Sequence, residues 1–137
     1  RDYRHLETEE IRAHTRWLAE QPNFDVTVCL HEDWESQGFY LYEVNRAERP
    51  SLGEKVIDAV SKICPIDQSP VIEDWPASGG ILRPNVKPED RPRWAEALYL
   101  VVNKTRLSYT LEGPSDFPLA VRVAALVTGV RVILAEA

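Results

Sequence analysis

The sequence has no methionine and only two cysteines, and neither cysteine belongs to a CxxC pair. A zinc ribbon and a thioredoxin-like redox motif are thereby excluded. Cys29 and Cys64 both stand in apolar runs, so they read as buried free thiols of the kind a reducing compartment preserves. No stretch approaches the roughly eighteen continuous apolar residues of a membrane span, and no charged-then-apolar leader opens the chain. A cytoplasmic protein with no membrane partner is the expectation. A chain that opens on an arginine and lacks methionine also fits a trimmed product or a piece of a longer protein. There is no Walker loop, no GxSxG elbow and no HxE…PCxxC deaminase pattern, and Ser78-Gly79-Gly80 is too short for a dinucleotide fingerprint. The sequence asks for no cofactor and no metal.

What is present is a globular composition: 137 residues, 44% hydrophobic and 28% charged, with a formal charge of −6. That is the size of one domain with a self-sufficient core. The acidic residues are spread along the chain rather than gathered in a tail. A net acidic domain is repelled by phosphate backbones, so no nucleic-acid partner is expected unless basic residues cluster in the fold; a basic protein surface suits it better.

Along the chain, "TEEIRAHTRWLAEQP" predicts a helix capped by Thr8 and closed before Pro22. "FDVTVCLH" alternates and "GFYLYEVNR" is aromatic and branched, so both read as strands, joined as a hairpin through the short polar "EDWESQG". Ser51 and Glu54 stand in capping-box spacing before a helix that runs to Cys64-Pro65. Residues 65–94 hold six of the ten prolines and sustain no period, which predicts an ordered, irregular excursion with a short strand near Gly80-Ile81-Leu82. "AEALYLVVN" reads as a buried strand, "LSYTLE" as an alternating one with Leu107, Tyr109 and Leu111 inward. "GPSDFPLAVRVAALVTG" reads as the most buried helix, stopped by Gly129, and "VRVILAEA" as a last strand. The expectation is one α+β (mixed α/β) domain over residues 1–137. It has three helices on a mostly antiparallel or mixed sheet of about five strands, in the order α-β-β-α-(long Pro-rich loop)-β-β-α-β.

Two surfaces carry possible chemistry. If the hairpin pairs Val28 with Tyr42, Asp25 and Glu43 share a sheet face near His31, and a carboxylate pair there suits a divalent metal. Shifting the register by one residue dissolves the set. The plainer reading is the solvated face of an antiparallel sheet. Over the first third of the chain, the helix–strand–strand order around "YEVNR" resembles the PD-(D/E)xK nucleases. Glu43 matches their glutamate and Asp25 or Asp33 their aspartate, which implies a metal-dependent nuclease. Asn45 stands where that family has lysine.

The second surface is a pair of acidic loops with tryptophans: Glu32, Asp33, Trp34 and Glu35, and Glu73, Asp74 and Trp75. Aromatic anchors flanked by carboxylates are typical of protein-binding surfaces. The function expected from the sequence is therefore non-catalytic: a small acidic inhibitor or immunity-type protein that occludes a basic cleft of a partner enzyme. The rivals are a metal-dependent hydrolase or nuclease using Asp25, Glu43 and His31, and a structural domain of a larger assembly.

Overall fold

Thr8 opens the first helix as its cap, its Oγ accepting from the Ile11 N–H at 3.4 Å. In the computed structural model, which describes residues 2–85 and 87–136, the helix α1 spans Glu9–Glu20 and buries Ile11, Thr15 and Leu18. The strands β1 (Thr27–Asp33) and β2 (Tyr40–Asn45) follow, then the helix α2 (Gly53–Ser61). The segment between residues 65 and 94 contributes β3 (Val71–Ile72), β4 (Trp75–Ser78), β5 (Ile81–Leu82) and a 3-10 turn (Pro88–Asp90). Then come helix α3 (Glu96–Asn103), strand β6 (Leu107–Pro114) and helix α4 (Leu119–Glu136). The result is one α+β domain with a six-stranded mixed sheet in the order β1-β6-β2-β5-β4-β3.

Strands β1 and β2 do not form a hairpin. β6 lies between them, parallel to β1 and antiparallel to β2, with Val28 opposite Tyr109 and Tyr42 opposite Thr110. The connection is drawn away from a tight turn by residues 65–67. The Phe39 N–H donates to the Pro65 carbonyl at 2.8 Å, the Asp67 N–H to the Phe39 carbonyl at 3.0 Å, and the Gln37 N–H to Asp67 Oδ2 at 3.0 Å. Gly38 makes this approach possible, since a Cβ there would lie 2.6 Å from the Pro65 carbonyl oxygen. The proline-rich segment is thus part of the sheet, parallel to β2 through β5 and continued by two antiparallel pairings.

Two other strands expected from the sequence are helical. Residues 96–103 are apolar nearly throughout, a pattern that does not separate a buried strand from a buried helix. Ala, Leu and Glu favour the helix, and Leu100 and Val101 are buried by it. Residues 130–136 continue α4 because Gly129 is a contact rather than a stop. A Cβ at that position would fall 2.7 Å from Leu111 Cδ1 and 3.4 Å from Val56 Cγ1, so its absence lets α4 settle on β6 and α2. Only one side of α4 is buried, at Ala125, Gly129 and Ile133; Leu119, Val123, Val127 and Leu134 face outward. It is not the enclosed helix that its composition suggests, because among the described residues nothing covers its second face.

The main core lies between α2, α4 and one face of the sheet, with Leu41, Tyr109 and Leu111 meeting Val56, Val60, Ala125 and Ile133. On the opposite face, α1 and α3 cover Cys29 through Leu18, Leu100 and Tyr99, joined by Phe24 from the segment before β1. Cys29 and Cys64 are both free and buried, and burial pushes the Cys29 thiol up to about 12. Among the described residues, no helix is long and apolar enough to cross a membrane.

Candidate functional site

Alternation along β6 sends Leu107, Tyr109 and Leu111 to the main core and Ser108, Thr110 and Glu112 to the other face. There, beyond the cover of α1 and α3, a cleft of about 750 Å³ opens. Its sheet side carries His31, Tyr42, Ser108, Thr110 and Glu112; α3 closes one side, and the loops bearing Trp75, Arg83, Arg91 and Arg93 another.

Glu112 is the group in this cleft whose chemistry differs most from its ordinary state. It is 8% exposed on a strand buried along its whole length. Burial pushes its carboxyl up to about 8, and the negative charges of Asp33 and Glu73 add to the rise. A carboxyl of this kind holds its proton into the neutral range, the state required of a proton donor. Its register partner on β1 is His31, whose Nδ1 stands 4.0 Å from Glu112 Oε1. Tyr42 neighbours the pair; burial first, and then the charge of Glu112, pushes its phenol up to about 12. Tyr40 donates to Asp33 Oδ2 at 2.9 Å and meets the Tyr42 ring edge-on at 5.8 Å between centroids. Asp33 therefore has a fixed position near Glu112 rather than a free one in solvent.

Glu43 also lines the cleft, but its carboxylate turns away from Glu112. It is buried on the α2 side, where Oε1 accepts from the Tyr109 hydroxyl at 2.9 Å and Oε2 from Arg83 Nε at 2.8 Å. Ser51 Oγ lies 2.8 Å from Glu43 Oε2 and 2.7 Å from Glu54 Oε2, and Arg83 closes the network on Glu54 at 2.6 Å. Ser51 and Glu54 thus bind each other, while the helix cap itself is Leu52. Asp25 precedes β1 and lines a separate, smaller pocket with Phe24, Arg49 and Lys104. The carboxylate pair of Asp25 and Glu43 does not exist, because β6 separates the strands that would have made it. The likeness to PD-(D/E)xK nucleases lapses with it, since that motif needs the two strands side by side.

The acidic loops also divide. Glu32 pairs with Arg122 at 2.5 Å, and Asp33 accepts the Glu35 N–H at 2.8 Å as well as the Tyr40 hydroxyl. Glu73 and Asp74 have φ of 51° and 62° and form the two-residue turn between β3 and β4, a left-handed geometry that matches the twist of paired strands. Trp75 begins β4 with the Arg91 guanidinium 4.7 Å over its ring. Trp34 is open, at 73% exposure, and Glu35 is exposed beside it.

Sequence reasoning singled out His31 and passed over Glu112, Tyr42 and the arginines. One signal was available: Glu112 is the only charged residue in an otherwise apolar or hydroxyl-bearing strand. Its significance depends on the strand's being central, and that is set by contacts with distant segments.

No protein-family model matches the chain, and no curated protein does. The fold is similar to crystal structures of three proteins assigned provisionally as metallopeptidases. One is from Shewanella baltica OS155 (TM-score 0.72, 20% identity, 91% of this chain and 44% of that one). Another is from Shewanella amazonensis SB2B (0.71, 18%, 90% and 44%), and a third from Shewanella denitrificans OS217 (0.68, 17%, 92% and 45%). The chain spans less than half the length of each. These neighbours overturn the reading as an acidic inhibitor or immunity-type protein, for the fold is one shared with proteins provisionally assigned as metallopeptidases. Of the acidic residues offered for a partner, the side chains of Glu32 and Asp33 are engaged within the fold, while Glu35, Glu73 and Asp74 are exposed.

A metal centre does not fit this chain's own residues. Among the described residues, no group of three or more His, Cys, Asp and Glu side chains is placed to hold a metal ion. Glu43, a second buried carboxylate among the residues lining the cleft, already spends both oxygens on Tyr109, Ser51 and Arg83.

Proposed function

We propose that this chain forms the substrate cleft of a peptide-hydrolysing enzyme, with Glu112 and His31 carrying the proton transfers. The observation that supports it is a carboxyl buried in the cleft, raised by that burial to about 8 and standing 4.0 Å from an imidazole. The size of the cleft suits a few residues of extended peptide. The fold's occurrence among provisionally assigned metallopeptidases adds to the reading.

In the hydrolysis, the oxygen of a water molecule forms the new bond to the carbonyl carbon while His31 accepts one of its protons. The carbon–nitrogen bond breaks as Glu112 donates its proton to the departing nitrogen. The proton on His31 then passes to Glu112, restoring both groups. Imidazole suits the accepting role because either ring nitrogen can take or give a proton.

The test is cleavage of a mixed peptide library by the full chain, read by mass spectrometry, with Glu112→Gln and His31→Ala alongside. Glutamine keeps the shape and neutrality of the buried acid but has no proton to give. Each variant should lose about a hundredfold or more in rate. Full activity in Glu112→Gln, or no cleavage by the unmodified chain, overturns the proposal.

A further inference from the structure

A protein of net charge −6 has gathered five arginines around one cleft: Arg46, Arg49, Arg83, Arg91 and Arg93. Arg83 is occupied by Glu43 and Glu54. Among the described residues, the side chains of Arg49, Arg91 and Arg93 have no ion-pair partner. The cleft's own carboxylates do not answer them. Glu43 is held by Arg83, Glu96 lies 3.7 Å from His14, and Glu112 has His31 as its neighbour. Arg91 is moreover held in place over the face of Trp75, with its guanidinium plane pre-ordered by an aromatic ring. Like charges brought together without counter-charges repel one another, and a bound anion relieves that repulsion.

We infer that the arginines lining the cleft without an ion-pair partner, Arg49, Arg91 and Arg93, bind a carboxylate of the ligand. Guanidinium offers a planar fork of donors that matches the two oxygens of a carboxylate, which a lysine would not. The rest of the cleft suits a short peptide, with Tyr42, Trp75 and Leu98 giving apolar and aromatic contact. The carboxylate is either the free C-terminus of that peptide or an acidic side chain within it. The assignment rests on the cleft being the substrate site, but its readout is binding alone.

Titration calorimetry on the full chain carries Glu112→Gln so that no probe is consumed. The probes are N-acetyl trialanine with a free carboxylate, the same peptide as its C-terminal amide, and an N-acetyl alanyl-glutamyl-alanine amide. The free acid should bind about tenfold or more tightly than the plain amide, and its affinity should fall as salt is raised. Equal strength from the glutamyl amide assigns the site to carboxylates generally; weak binding of it assigns the site to the C-terminus. Arg93→Ala and Arg49→Ala, both at exposed positions, should each weaken the free acid while leaving the melting temperature unchanged. Equal binding of acid and plain amide, no binding of the free acid or the glutamyl amide, or undiminished binding by both arginine variants overturns the inference. Binding without any peptide cleavage by the unmodified chain would remove the hydrolase reading and leave this site standing.

Discussion

The Tyr109 hydroxyl lies 2.9 Å from Glu43 Oε1 and also accepts the Leu52 N–H at 3.3 Å. One phenol thus satisfies a buried carboxylate and the first turn of α2, joining β6, β2 and that helix at one atom. Burial of the ring, and then the bond to Glu43, push the phenol above its ordinary range, so it remains a donor at every working pH.

Tyr109→Phe keeps the ring and removes that atom. Glu43 and the Leu52 N–H each lose a partner in a place water does not readily reach, and the expected loss is about 1–3 kcal/mol. Urea denaturation should show a lower midpoint with an unchanged slope. A variant as stable as the parent would mean that water replaces the hydroxyl.

Glu112 makes folding depend on pH in the alkaline direction. Its carboxyl takes a proton at about 8 in the folded protein and near 4.5 in the unfolded chain. The folded state therefore binds the proton more tightly. The contribution is complete below about 4.5 and is lost as pH rises through 8, at about 1.4 kcal/mol for each unit between the two values. Denaturation midpoints measured at acidic, neutral and alkaline pH should decline across that window. In Glu112→Gln the decline should flatten, since the amide is neutral throughout. An equal slope in both proteins would place the titrating group elsewhere.

Gly38→Ala should be among the most damaging single-methyl changes in the chain. The added carbon would meet the backbone of residues 65–67 at 2.6–2.7 Å, and backbone cannot turn aside as a long side chain does. A loss of about 1–3 kcal/mol is the usual scale for overpacking, with the upper end expected here. The bonds of Phe39 with Pro65 and Asp67 would open first, so hydrogen exchange at the Phe39 and Asp67 amides should accelerate most.

The elements with a clean period were legible in the sequence: α1 with its Thr8 cap, β1, β2, α2, β6 and the first part of α4. The short strand at Ile81-Leu82 was legible as well. Failure came where local pattern does not decide. "AEALYLVVN" is apolar nearly throughout, so its pattern does not decide between strand and helix, and its propensity and its packing on Cys29 and Leu18 go with the helix. Gly129 carries the signature of a helix stop, yet it serves as a close contact with Leu111. The site failed for a related reason. Asp25 and Glu43 look adjacent when consecutive strands are assumed to pair, and that assumption breaks when β6 inserts between them. His31 was visible as a candidate, but its partner Glu112 lies in a strand whose parallel pairing with β1 leaves no local trace.

Asp2 provides the last prediction, at the other end of the pH scale. Its buried carboxylate takes His5 Nδ1 at 2.5 Å on Oδ2, while Oδ1 accepts the N–H groups of Arg4 at 2.9 Å and Trp94 at 3.0 Å. His5 above all, then the Trp94 N–H, holds the carboxyl far below the ordinary aspartate range. A depressed folded value means that the contribution is present above the ordinary range and is lost as pH falls through the folded one. The Tyr3 N–H also donates to the Trp94 carbonyl at 2.9 Å, so Asp2 and Tyr3 together tie the N-terminal segment to the loop before α3. That loop carries Arg91 and Arg93 of the cleft. Asp2→Ala should therefore speed hydrogen exchange at the Arg4 and Trp94 amides at neutral pH, while leaving the β6 amides protected. The unaltered protein should show the same local opening only in strong acid. Protection at Trp94 that survives the substitution would mean the loop is held by its other contacts, and the cleft's arginines with it.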